Sequence, residues 1–295
     1  MGKSCLFFRS LFPGMMGTVF YFFYSGDLMI KMIAVDMDGT FLDDNKSYNK
    51  TRFLAQYQQL KQRDIKFVVA SGNQYYQLIS FFPEIRDEIA FVSENGANIV
   101  DRGKTLFCGE LSDEHLAKVL EVLAGLPYAH TVVCGPRSAY MLNSAPDSLR
   151  DLMSQHYHRL EMRDDFSALN DTIFKFSLNL ADEKIPELMA HIGHALDGIV
   201  TPVSSGFGFV DLIIPGIHKA HGLALLQRQW QIADDEVVAV GDSGNDIEMV
   251  AHAGFGFAMA NAQPAVKQVA RYHTDSNNHE GALNVIEGVL TGRIG

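Results

Sequence analysis

The sequence predicts an α/β fold: a doubly wound, Rossmann-like parallel sheet with helices on both faces, split by an inserted α+β unit. Three observations predict it. Short apolar runs recur, each followed by a loop and then an amphipathic stretch, which is the rhythm of strand, crossover and helix. Those runs carry few polar residues, as strands buried on both faces must. The middle third breaks the rhythm with two adjacent strand pairs, the arrangement that an antiparallel sheet uses.

Residues 30–35 (IKMIAV) are the first buried strand. Residues 49–63 read as an amphipathic helix, and 65–70 (IKFVVA) as the second strand. A helix over 74–82 stops before Pro83, because a proline ring disfavours helical backbone at the residue before it. Residues 89–92 form a third strand and 93–97 a turn. The inserted unit then begins. A helix over 113–124 is followed by strands at 131–134 and 138–142, a helix at 147–156, a strand at 173–180, a helix at 183–195 and a strand pair at 198–203 and 207–213. The parallel pattern resumes with a strand at 236–240 (EVVAV), a loop at 241–246, a helix, and one more strand at 255–259. The boundaries fall near 109–112 and 215–216. They give a core of residues 29–112 with 214–295, an inserted unit of 113–213 and a leader of 1–28.

The composition suits such a chain. It is 47% hydrophobic and 20% charged over 295 residues, which excludes a disordered or low-complexity protein. Acids outnumber bases by 35 to 24, a formal charge of −11. That charge repels phosphate at long range and argues against nucleic-acid or anionic-membrane partners. The three cysteines (Cys5, Cys108 and Cys134) are far apart and form no CxxC, so a reducing cytoplasm is expected, without disulfide framework or zinc site. The eleven histidines form no HExxH, and the pairs His156/His158 and His191/His194 read as ordinary surface residues.

Residues 1–28 differ from the rest. Lys3 and Arg9 precede an apolar run over 11–24. The run holds Pro13, Gly14 and Gly17, and it is shorter than the roughly 20 apolar residues that a membrane span needs. Small residues at Ser25 and Gly26 suggest a cleavage site, but aromatic side chains stand two positions before them. Translation beginning at Met29 or Met32 explains the segment best, and no stable membrane association is expected.

Four segments carry chemistry, and each lies at the end of a strand or the start of a helix. Asp36-Met-Asp-Gly-Thr40 follows the first strand and presents two carboxylates, Asp36 and Asp38, beside a turn at Gly39. Alone, such a loop is as well read as an Asp-rich turn. Gly241-Asp-Ser-Gly-Asn-Asp246 follows a late strand and adds Asp242 and Asp246, although an isolated loop of this kind also reads as a helix cap. Together the two loops converge four acids on one sheet edge. Packing does not explain that convergence, because like charges cluster at a cost. A hard divalent cation with oxygen ligands does, and Mg²⁺ is the usual choice where phosphate is the other ligand. Ser71-Gly-Asn73 offers a hydroxyl and backbone N–H groups at a helix start, suited to a phosphate oxygen or to plain capping. Lys219, near the start of the helix after the inserted unit, would neutralise a transferring phosphoryl group if it sits beside the acids.

In this order and at these sheet positions, the set DxDGT, SGN, a single lysine and GDSGND resembles the haloacid dehalogenase superfamily of phosphohydrolases. The GDSGND form and the large insertion are similar to the Cof-type branch with a C2 cap. Residues 36–42, 70–76 and 205–216, with Asn277-Asn-His-Glu-Gly281, resemble the bacterial sugar phosphatases of that branch. The likeness spans residues 30–290; one departure is Asn73, where many relatives carry Arg. The resemblance implies a Mg²⁺-dependent phosphatase for small sugar phosphates that works through an aspartyl-phosphate. Asp36 would be the nucleophile, ionised at neutral pH as carboxylates ordinarily are. Asp38 would protonate the leaving oxygen and then activate water. The metal would be held by the Asp36 carboxylate, the Asp38 backbone carbonyl and the Asp242 carboxylate, with Asp246 supporting them. Ser71, Gly72, Lys219 and Asn245 would hold phosphoryl oxygens. The cap would exclude water and choose the leaving group, with candidate readers around 134–137 and 204–208.

Other readings are a phosphatase for a nucleotide or pyridoxal phosphate, a phosphomutase, a phospho-accepting receiver domain and a membrane-tethered interaction protein. Receivers are short and uncapped, and they lack a second acid in the first loop.

Overall fold

The computed structural model describes residues 29–295 apart from 168 and 207. The leader expectation for residues 1–28 lies outside the described residues. In chain order the first elements are β1 (Met32–Val35), α1 (Lys50–Gln62), β2 (Lys66–Ala70), α2 (Tyr75–Phe81), β3 (Ala90–Ser93), β4 (Asn98–Asp101) and β5 (Lys104–Cys108). The second group is α3 (Asp113–Ala124), β6 (His130–Cys134), β7 (Ala139–Leu142), α4 (Asp147–His156), β8 (Leu160–Arg163), β9 (Lys175–Asn179), α5 (Ile185–Ala195), β10 (Thr201–Gly206) and β11 (Phe209–Ile213). The chain ends with α6 (Lys219–Trp230), β12 (Val237–Gly241), α7 (Ile247–His252), β13 (Phe255–Ala258), α8 (Pro264–Val269), β14 (Tyr272–His273) and α9 (Gly281–Leu290).

The larger sheet runs β14-β13-β12-β1-β2-β3-β4-β5. It is parallel from β14 to β3, and β4 and β5 close one edge antiparallel. β1 lies at its centre between β2 and β12, and all four of its residues are buried. Successive strand side chains point to opposite faces, so both faces need cover. Ile33 and Val35 pack with Phe53 of α1 and with Ile286 of α9, whereas Met32 and Ala34 pack with Leu223 of α6 and Met249 of α7. α1 presents Phe53, Gln56, Tyr57 and Leu60 to the core, the spacing of one helical face, and the Asn49 side chain caps its first turn by accepting the Arg52 N–H.

The smaller sheet runs β10-β11-β9-β6-β7-β8, antiparallel except for the parallel pair β7·β8. One face is apolar: Phe176, Leu178, Val210 and Leu212 pack on Val119 of α3 and on Leu188 and Ile192 of α5. The alternate residues face the larger sheet.

The structure extends and trims the sequence reading. The strand expected at 198–203 begins at Thr201, because the N–H groups of Ile199 and Val200 both donate to the Leu196 carbonyl and finish the end of α5. Its partner begins at Phe209, after Gly208 turns at φ 79°. The hairpin β4–β5 was not foreseen, nor were β8, α8, β14 and α9. Among the described residues no helix is long and apolar enough to cross a membrane.

Candidate active site

The ends of three adjacent parallel strands build the site, at the carboxyl edge where such sheets bind ligands. Asp36 directly follows β1, Ser71 follows β2 and Asp242 follows β12. The first loop turns at Gly39 with φ +74°, and a Cβ there would lie 2.6 Å from Asp242 Oδ2. Only glycine permits both the backbone angle and the approach. The Thr40 hydroxyl donates to Asp242 Oδ1 at 2.8 Å and ties the first loop to the last. A Cβ on Gly241 would stand 2.5 Å from the Asp246 Cβ, so the chain folds back there only without a side chain. Asp246 Oδ2 then accepts the backbone N–H groups of Asp242 and Ser243 at 2.9 and 3.0 Å.

Lys219 opens α6 and reaches the same point. Its ammonium donates to Asp36 Oδ1 at 2.6 Å and to Asp246 Oδ1 at 2.7 Å, and its side chain has no solvent exposure. Carboxylate oxygens of Asp36, Asp242 and Asp246 lie within 4.8 Å of one another. Three carboxylates thus face one buried ammonium. Burial, reinforced by Asp246, pushes the Asp36 carboxyl well above its usual range, although Lys219 pulls the other way. Burial and then Asp246 push Asp242 up to about 7. Burial pulls the Lys219 ammonium down, but Asp246 and Asp36 outweigh it and its pKa is raised. The carboxylates are therefore harder to ionise together than one at a time, with Lys219 the cation that partly offsets their repulsion. A second positive charge would offset more of that repulsion, and clustered hard oxygen donors fit a hard divalent cation.

The remaining sequence-selected residues gather around this cluster. The Asp38 carboxylate stands outside the trio, with Lys46 Nζ 2.6 Å from Oδ1 and Asn73 Nδ2 donating to Oδ2 at 2.7 Å. Asn73, the departure from the family pattern, thus serves Asp38. Ser71 is buried, and its Oγ accepts the Asn73 N–H at 3.2 Å. Asn245 donates to Asn95 Oδ1 at 2.9 Å and accepts the Ser243 hydroxyl at 2.8 Å.

A cavity of about 370 Å³ extends from the cluster towards the smaller sheet. Asp36, Asp38, Ser71, Gly72, Asn73 and Asn245 line its floor, and His156, Tyr157, Lys175, Ser177, Phe209 and Asp211 its far wall. The segment 134–137, expected to read substrate, does not line it. Cys134 is buried against the Tyr157 hydroxyl, and Arg137 pairs with Asp171. The far wall belongs instead to the end of α4 and to alternate residues of β9 and β11. In the segment 204–208, the side chains of 205–207 lie outside the described residues. His156, read as a surface residue, faces the cavity.

Sequence reasoning missed Lys46, Asn95, Lys175 and Asp211. The signal for the last two was present: Lys175-Phe-Ser-Leu-Asn179 alternates polar and apolar residues, and Asp211 is a lone acid in the apolar run Phe209-Val-Asp-Leu-Ile213. The alternation in the first normally marks a solvated strand face, and here it marks a cavity wall.

These features define a hydrolase of the haloacid dehalogenase type: a split Rossmann-like core, an inserted cap and an acid cluster with a buried lysine. A model of the haloacid dehalogenase-like hydrolases matches residues 33–286, and the chain belongs to that family. It is a phosphatase acting on phosphate monoesters. The 5-amino-6-(5-phospho-D-ribitylamino)uracil phosphatase YbjI of Escherichia coli K12 is 55% identical, over 89% of this chain and 97% of that protein. The phosphatase YitU of Bacillus subtilis 168, named for the same compound, is 22% identical over 87% of this chain and 96% of its own length. A solved protein of Streptococcus mutans UA159 superposes with a TM-score of 0.85 and 36% identity, covering 89% of this chain and 99% of that one.

Proposed function

We propose that this chain is a Mg²⁺-dependent, cytoplasmic phosphatase that hydrolyses the phosphomonoester of 5-amino-6-(5-phospho-D-ribitylamino)uracil. That compound is a phosphorylated sugar-alcohol chain bearing a pyrimidine, and so refines the class of small sugar phosphates. The observation that carries the reaction is Asp36 at the strand edge, with Lys219 and two further acids around it. The 55% identity with YbjI supports the substrate, and so does a cavity wall that mixes charged groups with Phe209 and Tyr157. The three isolated cysteines support the compartment. In the same reading the chain divides into a core of 29–112 with 214–295 and a cap of 113–213.

In this mechanism an Asp36 carboxylate oxygen attacks phosphorus in line with the leaving alcohol. The P–O bond to the alcohol breaks as the aspartyl-phosphate forms. Asp38 gives its proton to the departing oxygen, and afterwards takes one from the water that cleaves the aspartyl-phosphate. Ser71, the Gly72 N–H, Lys219 and Asn245 hold the phosphoryl oxygens. The Asp36 and Asp242 carboxylates and the Asp38 carbonyl would hold Mg²⁺. Asp246 has both oxygens engaged by Lys219 and backbone amides, which suits support rather than ligation. Bound there, the cation supplies charge neutralisation for the transferring phosphoryl group.

Phosphate release from a panel of phosphomonoesters tests the proposal. The ribitylaminouracil phosphate should give the highest kcat/KM. A preference of about tenfold or more for a nucleotide, pyridoxal phosphate or a hexose phosphate overturns the substrate assignment.

A further inference from the structure

Lys175 is among the most deeply buried side chains of the protein, yet the mechanism above does not use it. It sits on β9, in the middle of the cap sheet, and is 1% exposed. Its ammonium reaches three oxygens: the Gly72 carbonyl at 2.7 Å, Glu94 Oε2 at 2.6 Å and Asp211 Oδ2 at 3.3 Å. Two of these contacts are hydrogen bonds, to Gly72 and Asp211, and Glu94 is held as an ion pair. Two of the three partners, Gly72 and Glu94, belong to the core. Asp211 is a cap residue, and its Oδ2 also accepts from Asn95 at 2.6 Å, while Asn95 Oδ1 accepts from Asn245 at 2.9 Å. One chain of bonds therefore runs from the cap strands through Asn95 to Asn245, and another runs directly to the loop that carries Ser71 and Gly72.

The turn between them is strained. Glu94 and Asn95 have φ of 53° and 56°, in the left-handed region that non-glycine residues seldom occupy. Such angles persist where the surroundings fix them, and they concentrate at sites of function. Here the fixing contacts are the Lys175 pair on Glu94 and the two side-chain bonds of Asn95.

We propose that Lys175 is a positioning residue that makes the phosphate-binding loop of the core depend on the seated cap. The Ser71–Asn73 loop and the Asn95–Asn245 pair take their working geometry only while β9 and β11 lie against them. The inference rests on the phosphatase reading, because it assumes that this loop receives the phosphoryl group. It goes beyond that reading in assigning the coupling to one buried ammonium that need not touch substrate.

The test uses two variants of the full chain. The double variant Lys175→Met with Glu94→Gln removes one charge of each sign and keeps the local balance. Asp211→Asn is near-isosteric and leaves the bond from Lys175 to Gly72. The substrates are the ribitylaminouracil phosphate and p-nitrophenyl phosphate, the second with no sugar chain to recognise, and inorganic phosphate serves as competitive inhibitor. Thermal unfolding establishes that each variant is folded at the assay temperature. In the double variant, kcat should fall about ten- to hundredfold and the Ki of phosphate should rise comparably, as expected for a charged hydrogen bond that orients a reacting group. Asp211→Asn should move both in the same direction by a smaller factor, and it decides the matter if the double variant does not fold. A purely structural lysine would lower the melting temperature and leave kcat and Ki of the folded enzyme within about twofold, and that result overturns the proposal. A loss confined to the sugar-bearing substrate overturns it as well, since Lys175 would then read the leaving group. If the wild-type protein turns over no phosphomonoester, the phosphatase reading falls and takes this inference with it.

Discussion

Replacing Lys219 with methionine removes the one cation buried among Asp36, Asp242 and Asp246. The wild-type contacts at 2.6 and 2.7 Å are each worth about 6 kcal/mol at an effective dielectric of about 20. Desolvating the ammonium takes back several kcal/mol, and breaking a buried pair by deleting one partner has a net effect of about 3–5 kcal/mol. For a chain of this size each kcal/mol moves Tm by about 2–4 °C, so Lys219→Met should melt about 6–20 °C lower in EDTA. The lysine stays charged through any ordinary buffer. Its folded pKa is raised, so its contribution is full below the unfolded value and lost only as pH climbs through the folded one. Added Mg²⁺ should raise Tm more in the variant than in the wild type, because the cation then meets acids with no competing ammonium. Circular dichroism melts at neutral pH, with and without Mg²⁺, provide the measurement. A variant that melts within about 2 °C of wild type in EDTA would refute the picture of a charge-starved pocket.

Other perturbations probe the same site. Asp36→Asn should keep the fold and lower kcat by at least about 10³, measured as phosphate release; substantial residual turnover would remove Asp36 from the nucleophile's role. EDTA should silence the enzyme and Mg²⁺ restore it, and activity that persists under chelation refutes the metal site. The acids make a pH prediction. Asp36 and Asp242 have folded pKa values above their unfolded ones, so the stability they contribute is full below about 4, and that of Asp242 drains away as pH rises through about 7. Metal-free protein should therefore lose Tm over that window, and the gain from Mg²⁺ should be larger at pH 8 than at pH 5, because binding displaces protons. Gly39→Ala forces a methyl against Asp242 Oδ2 at a positive φ. It should lower stability by about 1–3 kcal/mol and weaken the Mg²⁺ dependence of activity, and an unchanged Mg²⁺ titration contradicts the role given to that turn.

The parts legible in the sequence were those whose physics is local. β1, β2 and β12 are short apolar runs because both faces of each are covered, and a run of that kind reads alike in any context. The loops after them are rich in Asp, Gly and Ser because backbone turns and oxygen ligands require those types, so Asp36, Asp38, Ser71 and Asp242 stand out in the sequence, and Lys219 does so by its place at a helix start in the motif order. Partnership was not legible. Lys175 and Asp211 look like solvated strand residues, since nothing in β9 or β11 says that another sheet's loops cover that face. Lys46 lies in a polar loop indistinguishable from surface, and its pairing with Asp38 depends on a turn whose backbone angles the sequence does not announce. The β4–β5 hairpin was overlooked although its turn at Arg102-Gly103 has positive φ at both residues, a shape that glycine favours in one position only. β8 escaped because two of its four side chains are exposed and it pairs as an edge.

The join between cap and core has two unlike sides. Along α2 it is a row of polar bonds: Gln74 exchanges two with the Arg159 backbone, at 2.8 and 2.9 Å, the Tyr76 hydroxyl donates to the Pro136 carbonyl, and Gln77 Nε2 to the Gln155 carbonyl. On the opposite side, near the two crossing strands of chain, it is greasy, with Ala97, Cys108, Ile214 and Ile217 packed among Val132, Cys134 and Met141. Water can replace each polar bond at a net loss of only about 1 kcal/mol, whereas parting the apolar side exposes surface at about 25 cal/mol per Å². The two sides of the join therefore resist parting unequally, the polar lip less than the apolar seam. Any loosening of the cap is expected to start along α2 and to leave the packing around Ile214 and Ile217 in place.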